Sequence, residues 1–146
     1  MSDLRDLYQE VILDHNRAPR NFGQLPNANR ESEGHNPLCG DRVRVSLHVE
    51  DDRIEGIAFQ GSGCAISTAS ASLMTEALKG RTVEEARHLF RGFHDLLTTG
   101  GSEDGLGKLA VFAGVREYPI RIKCATLAWH AVQAALEQKD HPISTE

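Results

Sequence analysis

Three cysteines and one aspartate carry the chemistry on offer in this chain. Cys39 and Asp41 stand together in Cys39-Gly40-Asp41, Cys64 follows 25 positions after Cys39, and Cys124 comes 60 positions after that. Three thiolates and a carboxylate make a complete tetrahedral set for Zn²⁺, and the same soft ligands suit iron–sulfur chemistry. Each cysteine is expected at an element boundary: Cys39 at the end of a long loop, Cys64 at a strand-to-helix junction, Cys124 at a helix start. A helix N-terminus offers unpaired N–H groups and a partial positive charge. Both favour a thiolate at Cys64 and Cys124, and Arg121 and Lys123 add cationic charge beside the latter. Free cysteine also serves as a small buried apolar filler, and no local C-x-x-C ties these ligands together. Spacing alone leaves both readings open. Gly40 and Gly63, each next to a cysteine, favour the metal site because they permit close backbone approach.

Other polar residues weigh less. His35 lies near Cys39 and is a candidate extra ligand. His130 lies six residues beyond Cys124, on a different side of the same helix. The spacing of His15, His48, His88, His94 and His141 suggests no site. Ser67, Ser70 and Ser72 read better as small helix-packing residues than as nucleophiles. Lys108 in Gly105-Leu106-Gly107-Lys108 lacks the remaining glycine spacing of a phosphate loop.

The elements that must position these groups follow from periodicity. Leu4, Leu7, Tyr8, Val11 and Ile12 mark an amphipathic helix, capped by Ser2 or Asp3 and ending before Pro19. Residues 17–40 read as one long loop, rich in turn formers and almost without periodic apolar residues; such a stretch tends to be functional. Val43, Val45, Leu47 and Val49 alternate with Arg42, Arg44, Ser46 and His48, as in a half-buried strand. A polar turn at 50–53 returns the chain as a second strand from Ile54 to Gln60. A helix of small residues is expected from Ala65 to Leu78, stopped by Gly80. Thr82 with Glu85 predicts a capping box for a helix whose apolar face is Ala86, Leu89, Phe90 and Phe93. A Gly-, Ser- and Thr-rich connection spans 98–107, and Leu109 to Val115 reads as a short helix. Pro119 interrupts before a last helix from about Cys124 to Lys139, with Leu127, Ala128, Ala131, Ala135 and Leu136 buried. The tail after about 140 is expected to be disordered.

The 146 residues fit one domain, and the chain needs no disulfide staples. The balance of 16 Lys plus Arg against 21 Asp plus Glu, a net charge of −5, argues against broad nucleic-acid binding. Arg17, Arg20, Arg42 and Arg44 form no basic arm. No apolar run reaches the roughly 20 residues of a membrane span, and the N-terminus does not read as a signal peptide. A cytoplasmic location follows, where an odd number of cysteines favours metal or thiol chemistry over a structural bridge.

Taken as a set, the segments resemble a known family. Leu7-Tyr8-Gln9-Glu10-Val11-Ile12-Leu13-Asp14-His15 with Pro19-Arg20-Asn21-Phe22-Gly23 resembles the opening of the iron–sulfur scaffold family of IscU and NifU. Asn36-Pro37-Leu38-Cys39-Gly40-Asp41 resembles its first ligand loop, and Phe59-Gln60-Gly61-Ser62-Gly63-Cys64-Ala65-Ile66-Ser67 with Ala69-Ser70-Ala71-Ser72 its second. The likeness runs from about Leu4 to Leu136. Scaffolds of the IscU type usually carry His immediately before the last cysteine, where this chain has Lys123. That change, the longer interval between Cys64 and Cys124, and Arg121-Ile122-Lys123-Cys124-Ala125-Thr126-Leu127-Ala128-Trp129 resemble the SufU branch.

The resemblance implies an α+β fold with a small, mainly antiparallel sheet packed with helices in a single domain over 1–146. It implies that Cys39, Asp41, Cys64 and Cys124 hold one Zn²⁺, with a [2Fe–2S] cluster on the same ligands as the alternative. Cys39 would accept sulfur as a persulfide from a SufS-type cysteine desulfurase, for downstream Suf cluster-assembly proteins. Arg121, and with it Lys123, would serve partner binding or charge balance.

Overall fold

A computed structural model of the chain describes residues 3–37, 40–102, 105–137 and 143–144, with side chains from residue 9 onward except at Arg116 and in the last two. The alternating residues do build strand β2 (Asp41–Glu50), which returns as β3 (Arg53–Ser62). Asp51 and Asp52 between them both take positive φ, the left-handed pair that a two-residue hairpin turn requires. The register sets Val45 opposite Phe59 and Leu47 opposite Ile57, so one face of the hairpin is apolar and buried.

The expected loop over 17–40 is corrected by a strand, β1 (Arg30–Asn36), antiparallel to β2 with Gly34 opposite Val43 and Asn36 opposite Asp41. Its inward positions are Ser32, Gly34 and Asn36, so no apolar alternation announces it. The reason is space. A Cβ on Gly34 would stand 3.0 Å from Leu127 Cδ1 and 3.3 Å from Val43 Cγ1, so the helix above lies against bare backbone. Part of the remaining loop also has a defined place. The Gly23 N–H donates to the Phe59 carbonyl at 2.8 Å and the Phe59 N–H to the Asn21 carbonyl at 3.0 Å, which fastens residues 21–23 along the outer edge of β3.

The sheet order is β3-β2-β1-β4, where β4 (Ile143–Ser144) pairs in parallel with Gly34 and His35. Of the tail expected to be disordered after about 140, these two residues lie on the β1 edge, and 141–142 and 145–146 lie outside the described residues. The helices are α1 (Asp3–Arg17), α2 (Ala65–Leu78), α3 (Val83–Thr98) and α4 (Pro119–Leu136), with an eleven-residue 3₁₀ helix at Gly107–Glu117. The capping box is present: the Glu85 N–H donates to Thr82 Oγ1 at 3.1 Å and the Thr82 N–H to Glu85 Oε1 at 2.9 Å. α4 begins five residues earlier than expected. Pro119 opens it rather than interrupting it, because a proline in the first turn gives up only an N–H that has no helical partner there.

The core lies between the sheet and the helices. Small residues let α2 and α4 approach closely, and Ser70 pins them: its hydroxyl donates to the Ala125 carbonyl at 2.5 Å and accepts from Trp129 Nε1 at 3.2 Å. Trp129 stacks on Phe93 at 4.8 Å, and Phe112 meets Phe93 edge-on at 5.9 Å. On α1, Val11 and Ile12 pack against the core. His15 is buried there with its Nδ1 2.7 Å from Ser72 Oγ, which also accepts the Arg20 N–H at 2.8 Å. The small antiparallel hairpin sheet, extended by β1 and packed with four α-helices, is the α+β architecture expected. None of the described helices is long and apolar enough to cross a membrane.

Candidate metal centre

The site forms where three elements meet. Asp41 is the first residue of β2 and is fully buried, Cys64 follows the end of β3, and Cys124 is buried in α4. One ligand atom from each of Asp41, Cys64 and Cys124 lies within 4.8 Å of the other two. A Zn–S bond of about 2.3 Å places tetrahedral ligand atoms about 3.8 Å apart. Closing this group around an ion therefore takes side-chain movements of about 1 Å. The Cys64 Sγ–Asp41 Oδ2 separation, 3.7 Å, already matches. One carboxylate and two thiols within that radius fit the donor set of zinc.

Backbone hydrogen bonds hold the first corner. Cys64 is the N-cap of α2, with φ −74° and ψ 169°, and its Sγ accepts the Ser67 N–H at 3.4 Å. Its own N–H donates to Asp41 Oδ1 at 2.8 Å. An unpaired N–H near the start of α2 thus supports the sulfur, and the carboxylate is tied to the strand–helix junction. Gly61 and Gly63 make the junction narrow. A Cβ at Gly61, where φ is +153°, would run into the Arg42 carbonyl, and one at Gly63 would run into the Asp41 carboxylate.

Cys124 differs from expectation. Because α4 starts at Pro119, the residue lies in the second turn and not at the helix end, so the unpaired N–H groups invoked for it are spent elsewhere. Its cationic neighbour is Arg121, one turn earlier on the same face. The Cys64 thiolate charge, then the hydrogen bond and charge of Cys124, hold the Arg121 guanidinium above its ordinary range. That side chain is exposed, so it forms a charged rim over two thiols. Lys123 is half-buried, and its side chain makes no hydrogen bond or ion pair with another described residue.

The remaining expected residues sort clearly. Cys39 lies outside the described residues. Gly40 after it has φ +75°, and its N–H closes a turn onto the Asn36 carbonyl at 2.8 Å. His35 is half-buried between inward Gly34 and Asn36, on the other face of β1, and is absent from the ligand group. His130 packs edge-on against Phe90 at 5.2 Å beside His94, far round α4 from Cys124; burial, then the His94 charge, push its pKa down. Two anchors were not singled out by spacing: buried His15 on Ser72, and Ser70 between Ala125 and Trp129. Only the small-residue run of α2 hinted at the second.

Comparisons with known proteins give the family and the fold. The family model described as "NifU-like N terminal domain" matches residues 7–141. The zinc-dependent sulfurtransferase SufU of Bacillus subtilis (strain 168) is 40% identical over 141 residues, 95% of each chain. The iron–sulfur cluster assembly scaffold protein IscU of Streptococcus pyogenes serotype M1 is 40% identical over 140 residues, 94% of this chain and 87% of that one. Among solved structures, the N-terminal part of a nitrogen-fixing NifU-like protein from Brucella abortus superposes with a TM-score of 0.84 at 28% identity, over 94% of this chain and 96% of that one.

Proposed function

We propose, from the premise that the chain belongs to the family of NifU-like N-terminal domains, that it is a zinc-dependent sulfur acceptor in iron–sulfur cluster assembly. The observation that carries this is the convergence of Asp41, Cys64 and Cys124 within 4.8 Å. Cys39, joined to Asp41 through Gly40, is the fourth ligand. The similarity to a relative named as a zinc-dependent sulfurtransferase supports the same choice, as does Lys123 in the position where the IscU type usually carries histidine.

Zinc bound there would keep the thiols ionised and protect them from oxidation. The rest of the reaction belongs to the chain's own residues. The Cys39 thiolate attacks the terminal sulfur of a cysteine persulfide presented by a SufS-type desulfurase. The partner's S–S bond breaks, a new S–S bond forms on Cys39, and the partner's cysteine leaves as a thiolate, so no net oxidation occurs. Asp41 gives one oxygen among sulfurs, and Arg121 at the rim offsets the thiolate charge that gathers as the partner's sulfur approaches. The persulfide then passes to downstream cluster-assembly proteins.

Purified protein should carry about one zinc per chain and raise the turnover of a SufS-type desulfurase. Cys39→Ser should abolish that stimulation; stimulation at the wild-type level would remove Cys39 as the acceptor. The second reading is a scaffold for a [2Fe–2S] cluster on the same ligands, favoured by the IscU relative. It requires a coloured cluster on anaerobic reconstitution and its transfer to an apo acceptor.

A further inference from the structure

We infer that Gly63 is a positioning residue, which keeps the Asp41 carboxylate within reach of the Cys64 and Cys124 sulfurs by leaving empty the volume a side chain would fill. Gly61 and Gly40 have positive φ, +153° and +75°, so their backbones disfavour a side chain whatever the space around them. Gly63 does not share that conformation. It is exposed and adopts a backbone angle open to any residue, so only space bars a side chain there. A Cβ at Gly63 would stand 2.9 Å from Asp41 Cγ and 3.2 Å from Asp41 Cβ, and closer still to Oδ1.

The 2.9 Å approach to Asp41 Cγ decides what must move. Turning the carboxylate about its last bond leaves Cγ where it is; the side chain must turn about its Cα–Cβ bond, taking both oxygens along, while the 3.2 Å contact with Cβ needs only a few tenths of an ångström from the backbone. Asp41 is fully buried and has no open solvent to swing into. Oδ1 would then lose the Cys64 N–H at 2.8 Å, and Oδ2 its place 3.7 Å from the Cys64 sulfur. The glycine thus serves the ligand oxygen and not the chain bend. Oδ1 holds the Cys64 N–H and Oδ2 faces the Cys64 sulfur.

The test is a double-mutant cycle between Gly63→Ala and Asp41→Ala, read by hydrogen exchange at the Cys64 amide in metal-free protein and by Co²⁺ titration. G63A should lower protection of the Cys64 N–H about tenfold or more, weaken Co²⁺ binding about tenfold or more, and alter the Co²⁺ absorption bands. D41A should do the same, and G63A should add nothing in the D41A background. The inference is overturned if G63A leaves amide and Co²⁺ signals at wild type. It is equally overturned if G63A costs as much without Asp41, since Gly63 then acts through its own backbone. Should G63A not fold, the double variant, free of the clashes with Oδ1 and Cγ, should fold; failure of both overturns the inference. The Co²⁺ arm rests on the metal-centre reading above, and the amide arm does not. Wild-type protein that binds no Co²⁺ would remove that reading while exchange at Cys64 still decides the role of Gly63.

Discussion

The two cysteines with described positions are held in opposite ways. Cys64 sits where β3 ends and α2 begins, half-buried, with its sulfur accepting the Ser67 N–H and its amide N–H donating to the Asp41 carboxylate. Cys124 sits inside α4, 1% exposed, where the helix has already spent its N–H groups. Its compensation is a side chain, Arg121, one turn back. Backbone dipoles cost no side-chain ordering and are little affected by salt, whereas an exposed guanidinium is screened. The site therefore joins a rigid, backbone-held corner to one that depends on where α4 lies and on the charge at its rim.

The sharpest way to break that contrast is to move α4. Gly34→Ala would set a methyl 3.0 Å from Leu127 Cδ1 and 3.3 Å from Val43 Cγ1. Overpacking of this kind costs about 1–3 kcal/mol. Denaturant unfolding should show the loss, and zinc affinity should fall with it because Cys124 travels with α4. Cys64 N–H protection should survive in the folded fraction, since its partner lies on β2. Equal loss of protection at Cys64 would mean that the two corners are not independent.

A smaller effect tests the rim. Arg121→Ala should weaken zinc binding about tenfold at low salt, as measured by chelator competition, in the range expected of outer-sphere partners. The difference between variant and wild type should shrink as salt approaches 1 M, where the screening length is about 3 Å. A salt-independent loss would show that Arg121 acts by packing and not by charge.

The same contrast explains what could be read in the sequence. The Cys64 corner was legible because each part has a local signal: strand alternation up to Gln60, glycines at 61 and 63, small residues from 65. Asp41, Cys64 and Cys124 lie within 4.8 Å of one another, and the α+β architecture is the one expected. The α4 side was misjudged twice for one physical reason. Pro119 and the polar Arg30–Asn36 segment look like breakers locally, and only tertiary packing shows otherwise. Proline fits the first turn of α4, and a strand with Ser32, Gly34 and Asn36 inward fits a helix that needs bare backbone beneath it. Patterning reports side chains that fill space. It does not report positions chosen to leave space, and Gly34 and Gly63 are both of that kind.

The smallest expected effect concerns pH and lies away from both corners. His15 is buried between α1 and α2, with Ser72 Oγ on Nδ1 and Glu76 Oε1 3.6 Å from Nε2. Burial, then the Arg20 charge, push its pKa below 6.5, against the pull of Glu76 and Asp14 and with a small push from Lys108. His130 is lowered by burial and then by His94. For both rings the unfolded chain binds the proton more readily, so unfolding becomes easier as pH falls through about 6.5 and stability is regained above it. Thermal melts of metal-free protein should show Tm falling over that window. His15→Gln and His130→Gln should each flatten the slope, with no change in Cys64 amide protection relative to the rest of α2. A slope unchanged in both variants would assign the acid sensitivity to other groups.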